Sequence, residues 1–231
     1  MKIHYIYIEY GSKEGKEPGN VGRLSDAATR LGLDPVFHTY SSVIDVICEV
    51  DEELGRLAKL INPCIPALIA DIGRICVLYK FGGIYCDTKF VITKQCLNEV
   101  NKRLNTFGYA FWIHPKLNRC RNGCMAATGG HSEFLAIIGS MRRLLIGWEA
   151  VQRAKANARF NIFAVGYRFS EVLVRNKHVV RRNMRGDEPY FNWPVRSALG
   201  WNLNPPGYLH WTKAQRRMPI FIFDDHAHSP A

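Results

Sequence analysis

Short runs of β-branched and aromatic residues alternate along the chain with longer stretches whose apolar positions recur at helical spacing, the pattern of an α/β layer fold. Lys2 to Ile8 reads as a first strand, followed by a Gly/Lys/Glu loop over Gly11 to Gly22 and a helix over Arg23 to Leu31 that Gly32 stops. Asp34-Pro35 turns the chain into a second strand, Val36 to Tyr40. Ser41 or Ser42 is placed to cap a short helix through Val50, and Asp51 another through Leu60. Pro63 and Pro66 bracket the start of a long helix, Ala67 to Phe81, which Gly82-Gly83 ends. Ile84-Tyr85-Cys86 and Phe90-Val91-Ile92 then read as one strand interrupted by a polar elbow at Asp87.

Further on, Tyr109 to His114 and Cys124 to Thr128 predict two strands, and Ser132 to Ile146 predicts a helix capped by its own serine. Phe169 to Arg175 reads as another helix, and Pro219 to Phe223 is the last apolar run. There is no internal repeat. Aromatic-rich sequence continues on both sides of Pro205-Pro206-Gly207, so this stretch is a loop rather than a linker, and residues 1–231 are expected to form one domain.

With 47% hydrophobic and 12% aromatic residues in 231, the chain has ample side chain for a packed core, which excludes disorder. No apolar run reaches the roughly 18 to 20 uncharged residues of a membrane span; Ile137 to Ile146, for example, is broken by Arg142 and Arg143. The run Ile3 to Ile8 is too short and aromatic for a signal-peptide core and lacks a small-residue cleavage site. With seven scattered cysteines, an odd number, this predicts a cytoplasmic protein with reduced thiols. Cys120 and Cys124, in RCRNGC, lack the second ligand pair that a structural zinc requires. Gly11 to Lys16 resembles a phosphate-binding P-loop but is one residue short between its glycines, and Glu17 stands where Ser or Thr is needed.

The informative segment is Ala70 to Phe90, ADIGRICVLYKFGGIYCDTKF. Asp71 and Arg74 lie three apart and so share one helix face. The double glycine allows a tight reversal, and Ile84 and Tyr85 deliver Asp87 to the end of a buried strand. A carboxylate there needs a partner, because burying it alone is costly. An acid from a strand end and an acid/base pair from the preceding helix are thus expected to face one pocket at the carboxyl edge of a sheet.

This run, DxxR followed by GGIYxD, resembles the sugar-binding region of the DXD-containing glycosyltransferases, the group that includes the family 32 sugar transferases and the clostridial glucosylating toxins. Weaker similarity lies in Ile3-His4-Tyr5-Ile6, in Gly130-His131-Ser132 and in the terminal His226-Ala227-His228-Ser229. The resemblance implies a GT-A type nucleotide-diphospho-sugar transferase fold, a central mixed sheet flanked by helices. It also implies a retaining, hexosyltransferase-like enzyme with a nucleotide-sugar donor, UDP-linked by preference. By the same resemblance Asp71 and Arg74 hold the donor sugar, Asp87 is the first Asp of the DXD motif, Tyr85 supports the elbow, and Tyr7 stacks on the base.

The departure from the family pattern is Lys89, which occupies the place of the second Asp, the usual direct ligand of manganese or magnesium. Three accounts stay open. Lys89 neutralises the diphosphate leaving group and transfer is metal-independent. Alternatively, Asp87 holds the metal with Asp224, Asp225, His226 and His228, a donor set compatible with manganese. In the third account the donor site is degenerate, and the chain is a nucleic-acid-binding or interaction module without turnover.

The formal charge of +11 is unevenly placed. Residues 1–110 hold 13 basic and 13 acidic side chains, and residues 111–231 hold 18 and 7. Within 141–185 the count is 11 to 2, and the block includes Arg142, Arg143, Arg153, Arg159, Arg168, Arg181 and Arg182. In transferases of the resembled type the first half binds the nucleotide and the second shapes the acceptor cleft. The basic half therefore points to an anionic or surface-associated acceptor: an acidic glycan, a lipid-linked carrier or nucleic acid, including a modified DNA base. Phe191, Trp193, Trp201, Tyr208 and Trp211, beyond this block, suit stacking on sugar faces or bases.

Overall fold

In a computed structural model of the chain, the residues described are 1–13, 19–114, 119–161, 163–166, 190–191, 195–197 and 218–223. The elements in chain order are β1 (Lys2–Ile6), α1 (Val21–Thr29), β2 (Asp34–His38), α2 (Tyr40–Val50), α3 (Glu52–Leu60), α4 (Pro66–Phe81), β3 (Gly83–Cys86) and β4 (Phe90–Ile92). They continue with α5 (Lys94–Phe107), β5 (Tyr109–His114), β6 (Arg119–Ala127), α6 (Ser132–Ala154), α7 (Phe163–Gly166), β7 (Tyr190–Phe191) and β8 (Val195–Ser197).

Among the described residues one mixed sheet runs β2-β1-β3-β6-β5-β7, with β1 parallel to β2 and β3, and β6 antiparallel to β3 and β5. Side chains alternate cleanly across it, as a two-residue period requires. Ile3, Tyr5, Ile84, Cys86, Cys124 and Ala126 enter one core with Leu24 of α1 and Val100 of α5. Ile6, Tyr85, Phe111 and Met125 enter the other, with α2, α3, α4 and α6. The fold is thus a central mixed sheet flanked by helices on both faces. No described helix is long and apolar enough to cross a membrane.

Several boundaries differ from expectation for local reasons. Thr39, not Ser41 or Ser42, begins α2, and its backbone N–H donates to Ser42 Oγ at 2.9 Å in a capping box. Helix α2 therefore starts at Tyr40, where a strand end was predicted. Helix α1 begins two residues early, at Val21. His131, not Ser132, caps α6: its Nε2 lies 3.1 Å from the Phe107 carbonyl, which can only accept, so Nδ1 is the nitrogen left to accept from the Glu133 N–H. Helix α6 also runs past Gly147 to Ala154, because the buried positions continue through Leu145, Glu149 and Gln152. The strand predicted at Cys124 starts at Arg119, so the RCRNGC segment is strand rather than metal knuckle. Cys86 and Cys124 face each other across β3 and β6 as free thiols, 3.5 Å apart. Finally, the elbow at Asp87 separates two strands of different sheets, since β4 pairs with β8 rather than continuing β3. The predicted helix Phe169 to Arg175 lies outside the described residues.

The step from α4 into β3 needs both glycines. Gly82 and Gly83 have φ of 64° and 95°, and a Cβ on them would lie 2.7 Å from the Gly129 nitrogen and 2.5 Å from the Lys2 carbonyl oxygen. The Gly82 carbonyl accepts from His4 Nε2 at 3.0 Å, which leaves His4 Nδ1 to accept from His38 Nε2, also at 3.0 Å. This buried imidazole pair ties β1, β2 and the α4–β3 turn together. Burial, the neighbouring ring and the Lys2 charge hold His4 at a pKa of about 4, and burial and Lys2 do the same for His38. Both values lie below the ordinary 6.5, so the neutral pair is fully stabilising above pH 6.5, and the contribution is lost as pH falls toward 4. Each ring should therefore cost on the order of 3 kcal/mol over that interval. Imidazole NMR titration should find two rings still neutral at pH 5, together with a urea midpoint that falls below pH 6.5. Titration of both rings near 6.5 would contradict this.

Candidate active site

Strands β1 and β3 run parallel with His4 paired to Tyr85, so Tyr7 and Asp87 both follow the carboxyl edge of the sheet side by side. Helix α4 lies across this edge. Its Pro66 sits at the first turn, where the missing N–H costs nothing, and its buried face brings Asp71 and Arg74 to the end of β3.

Arg74 is the centre of the cluster, with its side chain only 7% exposed. Its Nε donates to the Ala70 carbonyl at 3.0 Å, Nη2 to Asp71 Oδ1 at 2.9 Å, and Nη1 to the Asn122 carbonyl at 2.5 Å, with Asp87 Oδ1 at 3.5 Å. The guanidinium carbon lies 4.7 Å from the Tyr85 ring centroid, and the Tyr85 hydroxyl donates to Asp87 Oδ1 at 2.7 Å. Burial, together with the neighbouring Asp87, keeps that phenol protonated well above its ordinary range, so it remains a donor.

Asp71 Oδ1 also accepts from Asn122 Nδ2 at 2.7 Å, whereas its Oδ2 carries no hydrogen bond among the described residues. Burial raises the Asp71 pKa to about 6, helped by Asp87 and opposed by Arg74 and Lys89. Asp87 is more fully used. Beyond Tyr85 and Arg74 on Oδ1, its Oδ2 lies 3.2 Å from Lys89 Nζ, and its backbone N–H donates to the Gly123 carbonyl at 2.7 Å.

Sequence reasoning placed Asp71, Arg74, Tyr85, Asp87 and Lys89 in one constellation, and the structure brings these five together. It missed three supports. Asn122 and Gly123 come from an irregularity in β6: Phe111 pairs with Met125 but Trp112 with Arg121, so residues 122–124 swing out toward β3. Such bulges re-aim side chains next to functional sites. A Cβ on Gly123 would lie 3.0 Å from Asp87 Oδ2, so a glycine is what lets the two chains approach. The signal, an Asn-Gly pair inside RCRNGC, reads more readily as a turn. The third support, Asn20, sits at the start of α1, yet its side chain makes no cap. It is buried, and Nδ2 donates instead to the Thr88 carbonyl at 2.9 Å, pinning the elbow between Asp87 and Lys89.

The other expected site residues divide. Asp224, Asp225, His226 and His228 lie outside the described residues, as do Arg168, Arg181 and Arg182. Arg142 pairs with Asp51 at 2.8 Å, and Arg153 pairs with Glu149 at 2.8 Å and lies over the Phe223 ring. These two are therefore partly committed to holding α6 against its surroundings. Arg143 and Arg159 are exposed.

Residues 36–106, about a third of the chain, match the family model described as glycosyltransferase sugar-binding region containing DXD motif. The resemblance holds. The match spans α2 through most of α5 and includes Asp71, Arg74, Tyr85, Asp87 and Lys89. No curated protein matches the chain. Among solved structures, the ligand-free glycosyltransferase domain from the YGT toxin is similar at 13% identity, with 68% of this chain and 46% of that one covered and a TM-score of 0.36. The chain therefore spans less than half the length of that structure.

The described residues at the elbow do not fit a divalent cation. Among them no group of three or more His, Cys, Asp or Glu comes together, and both Asp87 oxygens are already in use. Asp71 and Asp87 are balanced by Arg74 and Lys89, so the formal charge of the four is −2 + 2 = 0.

Arg74 should be the residue the site least tolerates losing. Arg74→Met leaves two partly buried carboxylates without their shared cation, and urea unfolding should show a loss of about 3–5 kcal/mol. A change within about 0.5 kcal/mol would mean that the cluster is not organised by this side chain.

Proposed function

We propose that the chain is a GT-A type glycosyltransferase that takes a nucleotide-diphosphate sugar, UDP-linked by preference, and transfers the sugar to an anionic or surface-associated acceptor. The observation that carries this reading is the Asp71–Arg74–Tyr85–Asp87 cluster, partly buried carboxylates around a buried guanidinium, at the carboxyl edge of the sheet, within the segment that matches the sugar-binding family model. An open acceptor at such an edge is where α/β folds bind ligands.

Roles follow from what each group has left to offer. Asp71 Oδ2, which carries no hydrogen bond among the described residues, is the acceptor that takes hydrogen bonds from donor-sugar hydroxyls. Arg74, with Nε and both Nη groups engaged within the protein, acts by holding Asp71 and Asp87 in place. Tyr85 locks Asp87, which orients the elbow. Tyr7, partly exposed beside that edge, offers a ring to the base. Retention of configuration and hexosyl transfer rest on the family resemblance alone. The net charge of residues 111–231 supports an anionic acceptor, and Arg143, Lys155 and Arg159 are exposed, as is Arg153 beside its Glu149 partner.

Purified protein incubated with a panel of UDP- and GDP-sugars, with manganese and separately with chelator, should release nucleotide. With Asp71 needed as the carboxylate, kcat/KM should climb about tenfold per pH unit below its pKa of about 6 and level off above it. Absence of both hydrolysis and donor binding in every condition would overturn the enzyme in favour of a binding module. If the acceptor is nucleic acid, duplex binding should weaken steeply with added salt, and a flat dependence would remove that acceptor class.

A further inference from the structure

We infer that Lys89 supplies the positive charge that the diphosphate of the donor meets, in the place where a DXD site holds a metal ion. This inference rests on the transferase reading above. Lys89 Nζ sits 3.2 Å from Asp87 Oδ2, next to the first Asp of the motif, and its side chain is 62% exposed. The ammonium also lies 5.1 Å from the Phe90 ring centroid. It has three N–H donors, of which Asp87 takes one, so at least one faces outward to a phosphate oxygen.

The neighbourhood is arranged for such a role. Among the described residues the four charged groups of the cluster sum to zero, so a Mn²⁺ or Mg²⁺ arriving at these four meets no net charge and a competing ammonium on its carboxylate. An arriving diphosphate, by contrast, meets the one cation of the cluster that is mostly exposed. The elbow that presents Lys89 is held on both flanks: Asn20 Nδ2 donates to the Thr88 carbonyl at 2.9 Å, and the Asp87 N–H donates to Gly123 at 2.7 Å. A preorganised charge of this kind costs no reorganisation at the moment of reaction.

In the step itself, the bond between the anomeric carbon and the diphosphate oxygen breaks, and its electron pair stays on that oxygen. A bond forms from the acceptor oxygen to the anomeric carbon, and the acceptor proton leaves to solvent. Lys89 keeps its protons throughout and stabilises the charge that develops on the leaving diphosphate.

The test is calorimetric binding of UDP, GDP and inorganic pyrophosphate to the full chain, in chelator and in manganese, for the wild type and for Lys89→Ala, Lys89→Arg and Lys89→Asp. Manganese binding is followed separately by its paramagnetic resonance spectrum. The inference predicts equal diphosphate affinity in chelator and manganese for the wild type, about a 10²-fold loss for Lys89→Ala in both, and partial rescue by Lys89→Arg. Uridine binding should be unchanged across the series, which a merely structural role would not produce. Lys89→Asp should bind diphosphate only with manganese and should bind the ion itself. If wild-type diphosphate binding requires manganese, or if Lys89→Ala keeps its affinity, the assignment of Lys89 is overturned while the transferase reading stands. If no diphosphate binds under either condition, the transferase reading falls and this inference with it.

Discussion

A buried guanidinium sets the terms for the rest of the site. Taking Arg74 out of water costs several kcal/mol, which only well-placed acceptors recover. Those acceptors come from three separate pieces of chain: Ala70 and Asp71 on its own helix, Asp87 after β3, and the Asn122 carbonyl in β6. Each piece must arrive in register. The paired glycines supply the tight reversal from α4 to β3, the irregularity in β6 turns residues 122–124 toward the cluster, and Gly123 lets Asp87 approach the neighbouring strand closely. Changing any one of them disturbs the hydrogen bonds of a charge that cannot escape to solvent.

Satisfying Arg74 in this way divides the remaining chemistry between two ends. At the helix end, Asp71 is tied by one oxygen and its other carries no hydrogen bond among the described residues, in surroundings that raise its pKa to about 6. At the elbow end, Asp87 is tied by both oxygens, and the outward charge is Lys89 instead. A sugar hydroxyl and a diphosphate want those two things respectively, a hydrogen-bond acceptor and a cation. The His4–His38 pair lies behind this arrangement. It holds the Gly82 carbonyl, and so the start of β3, without contributing charge at neutral pH.

Much of this was legible before the fold was known, because the residues concerned are close in sequence. Asp71, Arg74, the double glycine, Tyr85, Asp87 and Lys89 span fewer than twenty positions, and helical spacing plus a strand signal place them together. What was not legible depends on distant pairing. Nothing local distinguishes Asn122-Gly123 in a bulged strand from the same pair in a turn. Asn20 has the look of an ordinary helix cap, but a contact with Thr88, far along the chain, claims its amide. The elbow at Asp87 looked like an interruption within one strand, since only the pairing of β4 with β8 shows that the chain changes sheets there. Helix α6 outran its predicted end because the ion pairs of Glu149 with Arg56 and Arg153, and the hydrogen bonds of Gln152 to the backbone of Ile220 and Phe221, offset the roughly 1 kcal/mol that a mid-helix glycine costs. The basic block similarly looked like a uniform surface, whereas Arg142 and Arg153 are partly spent on Asp51 and Glu149.

The measurement that bears most directly on the account is a crystal structure of the chain with a bound UDP-sugar, grown in chelator. The account predicts the diphosphate against Lys89, sugar hydroxyls on Asp71 Oδ2, and the Arg74 contacts unchanged from those described. A nucleotide bound away from the carboxyl edge of β1 and β3, or a sugar that reaches neither Asp71 nor the elbow, would contradict it.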